Sequence, residues 1–127
     1  YVTFDKVLRE SDFLTLHVPL TEETEYMISN DEIALMKKTA YLIHTARGKV
    51  IDDYALVAAL KEGRIAGAAL DVYEDEPAIT EGMTELSNLM LLPHIGSATS
   101  KTRDAMGFRA LDNLDAFFAG KVPADLL

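Results

Sequence analysis

Five residues of this 127-residue chain combine a type that does chemistry with a place at or just beyond an expected strand end: His17, Arg47, Asp71, Glu76 and His94. Arginine offers a planar fork of donors that matches a carboxylate, and it stays charged at any working pH. Histidine can give and take a proton near neutrality. A carboxylate beside a histidine ring orients it and favours the imidazolium. Arg47, Glu76 and His94 together would therefore suit proton transfer on a small anionic substrate. On residue types alone, Glu76 in the run Glu74-Asp75-Glu76 reads first as a solvated loop acid, and a strand-end histidine as a satisfied structural residue.

Short apolar runs alternate with helical ones, which predicts an α/β domain with a mostly parallel sheet. Tyr1-Val2 reads as the end of a strand, and Thr3 caps a helix through about Glu10 with Val7 and Leu8 facing inward. Strands are expected over Phe13 to Val18, Tyr41 to Thr45, Ile65 to Val72 and Leu89 to Leu92; Pro19 and Pro93 close the first and last. Ser29 and Glu32 form a capping box for a helix through about Met36. Asp52 caps a helix through Glu62, with Leu56, Val57 and Leu60 inward and Gly63 as its stop. A final helix covers about Lys101 to Ala119, with Ala110, Leu111, Leu114, Phe117 and Phe118 on one side and Gly120 ending it.

In open parallel sheets ligands bind beyond the carboxyl ends of the strands. His17 and Pro19, Thr45 to Gly48, Asp71 with Glu76, and His94 all fall there, so four strands deliver polar groups to one edge. Gly96, Ser97, Thr99 and Ser100 precede the last helix; they can hold an anion on free backbone donors or simply cap it. Gly67, Ala68 and Ala69 admit either a flat ring against the sheet or close helix packing. The acidic stretch Glu74 to Ser87 is a functional loop or a surface excursion.

The length suits one domain with one core. No apolar run approaches the roughly 18 residues of a membrane span, and there is no charged-then-apolar leader. The chain has no cysteine, so disulfides, thiolate metal sites and thiol catalysis are excluded, and a cytoplasmic location fits. No metal site is expected. A net charge of -9 speaks against a nucleic-acid partner. It does not speak against a small anionic substrate, because one arginine in a dry cleft outweighs a distant acidic surface.

Four segments carry a family resemblance. SDFLTLHVPLTEETEYMI, ALMKKTAYLIHTARGKVID, GRIAGAALDVYEDEP and NLMLLPHIGSATSKTRDAM, in that order and spacing, resemble the successive signatures of the D-isomer-specific 2-hydroxyacid dehydrogenases. The PHIGSAT run and NLDAFFAGKVP look closest to the glyoxylate and hydroxypyruvate reductase branch. The resemblance covers essentially the whole chain. It implies that residues 1–127 are the carboxyl-terminal part of a Rossmann-type NAD(P)-binding domain.

The roles it implies are specific. Arg47 would hold the substrate carboxylate and keto oxygen, His94 would be the acid/base and Glu76 its partner, reversing the first reading of Glu76. His17, Val18 and Pro19 would flank the cofactor, with Thr45, Ala46 and Arg47 against it. Asp71 would read the nicotinamide amide and ribose side, and His94 through Gly96 and Ser97 would line the nicotinamide and substrate pocket. The implied reaction is hydride transfer between NAD or NADP and a 2-oxo or D-2-hydroxy acid, such as glyoxylate or hydroxypyruvate, in a protein that is a homodimer at full length.

Two departures from the family pattern stand out. His44 occupies the position of an asparagine before Thr-Ala-Arg-Gly, where it would support the active-site loop and alter its geometry or substrate preference. The family's G-x-G-x-x-G loop and the substrate domain are absent, so a fragment with an open edge at Phe13 to Val18 and negligible activity alone is expected. The rival expectation is a non-catalytic, NAD-regulated interaction module of the co-repressor type, which shares the fold.

Overall fold

The computed structural model describes residues 1–126 and divides into two compact units, Tyr1–His94 and Ile95–Leu127. The first unit is built as α1 (Phe4–Glu10), β1 (Phe13–Leu16), α2 (Asn30–Leu35), β2 (Tyr41–His44), α3 (Asp53–Lys61), β3 (Gly67–Leu70) and β4 (Leu89–Leu91). The four strands form one parallel sheet in the order β1-β2-β3-β4. This is the α/β, Rossmann-like architecture that the alternation of runs predicts.

Local chemistry explains the helix starts. Thr3 Oγ1 accepts from the Lys6 N–H at 3.4 Å, and Asp52 Oδ1 accepts from the Ala55 N–H at 2.9 Å. Glu32 reaches back to the Ser29 N–H at 3.0 Å and its hydroxyl at 2.8 Å. Just past α3, Gly63 turns the chain with a φ of 63°, a left-handed conformation that favours glycine.

Leu14 and Leu16 of β1, Leu42 of β2 and Leu70 of β3 are buried with Leu8, Ile33 and Leu56 of the three helices, so the core lies between the helices and one sheet face. Phe13 and Tyr41 project to the other face, exposed, with their rings stacked 5.6 Å apart. A β-carbon on Gly67 would lie 3.0 Å from the Tyr41 ring and 2.8 Å from the Asn88 carbonyl oxygen. The small residue at the start of β3 thus makes room for a ring and a neighbouring backbone.

Each strand is shorter than the sequence predicts. The register explains why: Leu16 pairs with His44, His44 with Leu70, and Leu70 with Leu91, so all three ladders stop at one level. His17, Thr45, Asp71 and the Pro93-His94 step emerge beyond that level. Tyr1-Val2 is not a strand; both residues are exposed and pair with no neighbour in the sheet. An extended dipeptide is not a strand without a ladder to satisfy its backbone groups.

The second unit contains α4 (Ser100–Phe118), capped by Thr99 Oγ1 accepting from the Thr102 N–H at 3.2 Å. None of its residues is buried, and Leu111, Leu114, Phe117 and Phe118 are exposed. Asp125 folds back on the helix, bridging Arg109 at 2.6 Å and accepting from Asn113 at 2.7 Å. The Arg109 guanidinium pulls the Asp125 carboxyl down to about 2. Among the described residues, no helix is long and apolar enough to cross a membrane.

Candidate active site

Two open clefts lie at the carboxyl ends of the strands of the first unit, and Arg47 lines both. The first is formed by His17, Val18, Pro19 and Leu20 beyond β1 with Thr45, Ala46 and Arg47 beyond β2. The second, about 440 Å³, gathers Arg47, Glu76 and His94 with Leu20, Lys49 and Tyr73 among its walls. The three residues that sequence reasoning singles out for chemistry therefore share a cleft.

Glu76 and His94 are in direct contact. His94 Nδ1 lies 2.7 Å from Glu76 Oε2, and Glu76 Oε1 accepts from the Tyr73 N–H at 2.9 Å. The His94 ring holds the Glu76 carboxyl below the ordinary carboxylate value; burial opposes this, and the Tyr73 amide assists. An ionised carboxylate only accepts, so the proton between the pair sits on Nδ1 and leaves Nε2 for exchange with a ligand. His94 has a φ of 53°, a left-handed backbone that costs a non-glycine residue about 1 kcal/mol. The structure holds that conformation immediately after Pro93, next to the carboxylate.

Arg47 reaches the cleft from the turn after β2. Its Nη1 donates to the Ala46 carbonyl at 2.7 Å, and its side chain remains exposed. Asp71 is buried at the end of β3, and its N–H donates to the His44 carbonyl at 2.9 Å. His17 is exposed, with Nε2 2.9 Å from Thr15 Oγ1. Gly96 and Ser97 belong to the second unit, in the turn that leads to α4, where the Ala98 N–H donates to the Ile95 carbonyl at 3.0 Å.

Two residues that the sequence does not single out, Asp53 and Tyr73, hold this edge together with Gly48. Asp53, buried in the first turn of α3, accepts from the Glu74 N–H at 3.1 Å and the Thr80 hydroxyl at 2.9 Å. Burial pushes its carboxyl above the usual range, against those two donors. Tyr73 donates its hydroxyl to the Leu92 carbonyl at 2.5 Å, tying the exit of β3 to the exit of β4. Gly48 packs directly on the Tyr73–Glu74 backbone. The one advance signal was the doubled acid Asp52-Asp53, since a single carboxylate suffices for a helix cap.

Residues 1–96 match the family model described as D-isomer specific 2-hydroxyacid dehydrogenase, NAD binding domain. The glyoxylate reductase of Thermococcus litoralis is 53% identical over 127 residues, 100% of this chain and 38% of the relative. The structure of an NADPH-dependent glyoxylate/hydroxypyruvate reductase from Sinorhizobium meliloti, in complex with NADP and malonate, aligns with a TM-score of 0.87 at 40% identity. That alignment covers 91% of this chain and 36% of the other. A D-isomer specific 2-hydroxyacid dehydrogenase from Lactobacillus delbrueckii ssp. bulgaricus, in its NAD complexed form, aligns with a TM-score of 0.90 at 33% identity over 100% of this chain and 43% of the other. The chain thus spans little more than a third of the length of the relatives it matches.

Proposed function

This chain belongs to the D-isomer-specific 2-hydroxyacid dehydrogenase family, as part of its NAD binding domain, and from that premise we propose that the whole protein is a glyoxylate/hydroxypyruvate-type reductase using NAD or NADP. The observation that carries the reading is the shared cleft, in which an arginine accompanies a histidine bonded at 2.7 Å to a carboxylate. The neighbouring cleft fits a nicotinamide: Val18, Pro19 and Ala46 offer apolar surface, while His17 and Thr45 offer hydrogen-bonding groups. When bound, the reduced nicotinamide supplies the hydride that goes to C2 of the 2-oxo acid.

The chain's own residues do the rest. Arg47 clamps the substrate carboxylate and polarises the keto oxygen. His94 delivers a proton from Nε2 to that oxygen as it gains charge, and Glu76 holds Nδ1–H and steadies the imidazolium before transfer. Asp71 lies at the end of β3, where it would serve the nicotinamide amide and ribose side. Glyoxylate and hydroxypyruvate are the leading substrates, in keeping with the relatives' activities. A cytoplasmic homodimer is the form we propose for the whole protein; the lack of cysteine suits a reducing compartment.

The test is NADH and NADPH oxidation by the whole protein with glyoxylate or hydroxypyruvate. His94→Ala should remove most turnover while cofactor affinity stays nearly unchanged. A near-wild-type rate in that variant would sink the assignment.

A further inference from the structure

His44, the last residue of β2, is 1% exposed. Its Nε2 lies 2.9 Å from the Arg47 carbonyl oxygen, which can only accept, so Nε2 carries a proton and donates it. The same carbonyl accepts from the Val50 N–H at 3.0 Å, so both of its lone pairs are used. Nδ1 is buried and meets no hydrogen-bond partner. A proton there would be an unsatisfied buried donor, which is expensive. Burial pushes the ring's pKa below the ordinary histidine value, opposed by its bond to the Arg47 carbonyl. The His44 carbonyl, for its part, accepts from the Asp71 N–H at 2.9 Å, so the residue is anchored on the side of β3 as well.

We infer that His44 is a positioning residue for Arg47: as a neutral Nε2–H imidazole it pins the Arg47 carbonyl and so fixes where the guanidinium enters the cleft shared with Glu76 and His94. Arg47 itself is in extended backbone with φ -142° and ψ 130°, and among the described residues its side chain bonds to the Ala46 carbonyl. The buried hydrogen bond behind it fixes the backbone from which the side chain leaves. The inference rests on the proposed role of Arg47 as the substrate clamp. It adds that the clamp's accuracy depends on the tautomer of a buried histidine that never touches substrate.

Two variants and one spectrum test this. Glutamine can place its amide nitrogen where the imidazole Nε2 stands, whereas leucine fills the volume without a donor. In the whole protein, H44L should raise KM for glyoxylate on the order of tenfold to a hundredfold, with kcat and cofactor Kd changed far less. H44Q should recover most of the wild-type KM. The 15N spectrum of wild-type imidazoles should show His44 as the Nε2–H tautomer with a bare Nδ1 throughout the range in which the fold persists.

An H44L enzyme with wild-type KM, or an H44Q enzyme as impaired as H44L, would overturn the inference. So would an Nδ1–H or doubly protonated His44 in the spectrum, which decides the matter even if H44L does not fold. Absence of turnover in the wild type with any 2-oxo acid would instead refute the functional reading. The tautomer and the Arg47 backbone signals of H44Q and wild type would still judge the pin itself.

Discussion

Gly48 and Tyr73 approach so closely that a β-carbon on Gly48 would lie 1.8 Å from the Tyr73 carbonyl oxygen and 2.6 Å from the Glu74 nitrogen. Both obstacles are backbone, so no side-chain rotation relieves them. The contact seats the turn carrying Arg47 against the segment carrying Glu76. Gly48→Ala must therefore push the two apart, at a cost of about 3 kcal/mol, the upper end of ordinary overpacking. A urea midpoint measured on the variant should fall accordingly, and an unchanged midpoint would show that the two segments separate freely.

Arg47→Lys isolates the value of a planar fork. The charge stays, but two parallel N–H bonds to a carboxylate become one rotating ammonium. Because the Arg47 side chain is exposed, stability should change little. Substrate KM should rise on the order of tenfold to a hundredfold, corresponding to about 1.4 to 2.8 kcal/mol of lost binding. Steady-state kinetics against glyoxylate checks this, and unaltered KM would remove Arg47 from the substrate.

Glu76→Gln should act on a different parameter. A glutamine has one accepting oxygen, whereas Glu76 uses one for the Tyr73 N–H and the other for His94 Nδ1. The variant loses one of those bonds and the negative charge beside the ring. Without the carboxylate that steadies the imidazolium, His94 is less able to carry a second proton on Nε2 for delivery, and kcat should fall on the order of a hundredfold. Cofactor Kd, read by fluorescence, should stay near wild type; a drop in cofactor affinity with normal kcat would point to a purely structural role.

The helices and strands were legible because their signals are local. Capping at Thr3, Ser29/Glu32 and Asp52, and alternation at Leu14, Leu16 and Leu42, are written within a few residues of where they act. Strand ends were read one or two residues too far, since a ladder stops where its partner stops, and His44, Leu70 and Leu91 set that level together. The site was half legible from residue types. Types at strand ends suggested Arg47 and His94, whereas Glu76 read as a solvated acid until the family resemblance made it the partner of His94, 18 residues away, with which it is in hydrogen-bond contact at 2.7 Å. Tyr73 gave no signal, and Asp53 only its place in the doubled acid Asp52-Asp53, because their work depends on partners 19 to 27 residues distant. The apolar side expected along α4 exists in sequence but buries nothing among the described residues.

Asp53 and Glu76 should leave opposite marks on stability against pH, which gives a test independent of catalysis. Glu76 is held below its ordinary value of 4.5, so its contribution is present above that pH and is lost as pH falls through the lower folded value. Asp53 is pushed above its ordinary value of 3.8 by burial, so the folded state binds its proton more tightly than the unfolded chain does. Its contribution is greatest in acid and is lost as pH rises from about 3.8 through the folded value. Glu76→Gln should therefore flatten the acid-side decline in stability. Asp53→Asn should steepen it as pH falls toward 3.8, because it removes a group that binds its proton more tightly in the folded state. Urea midpoints of the three proteins, followed below pH 4.5 for Glu76 and above pH 3.8 for Asp53, decide it. If both variants shift the limb in the same direction, the buried carboxyl at Asp53 is not the proton-retaining group that its surroundings require.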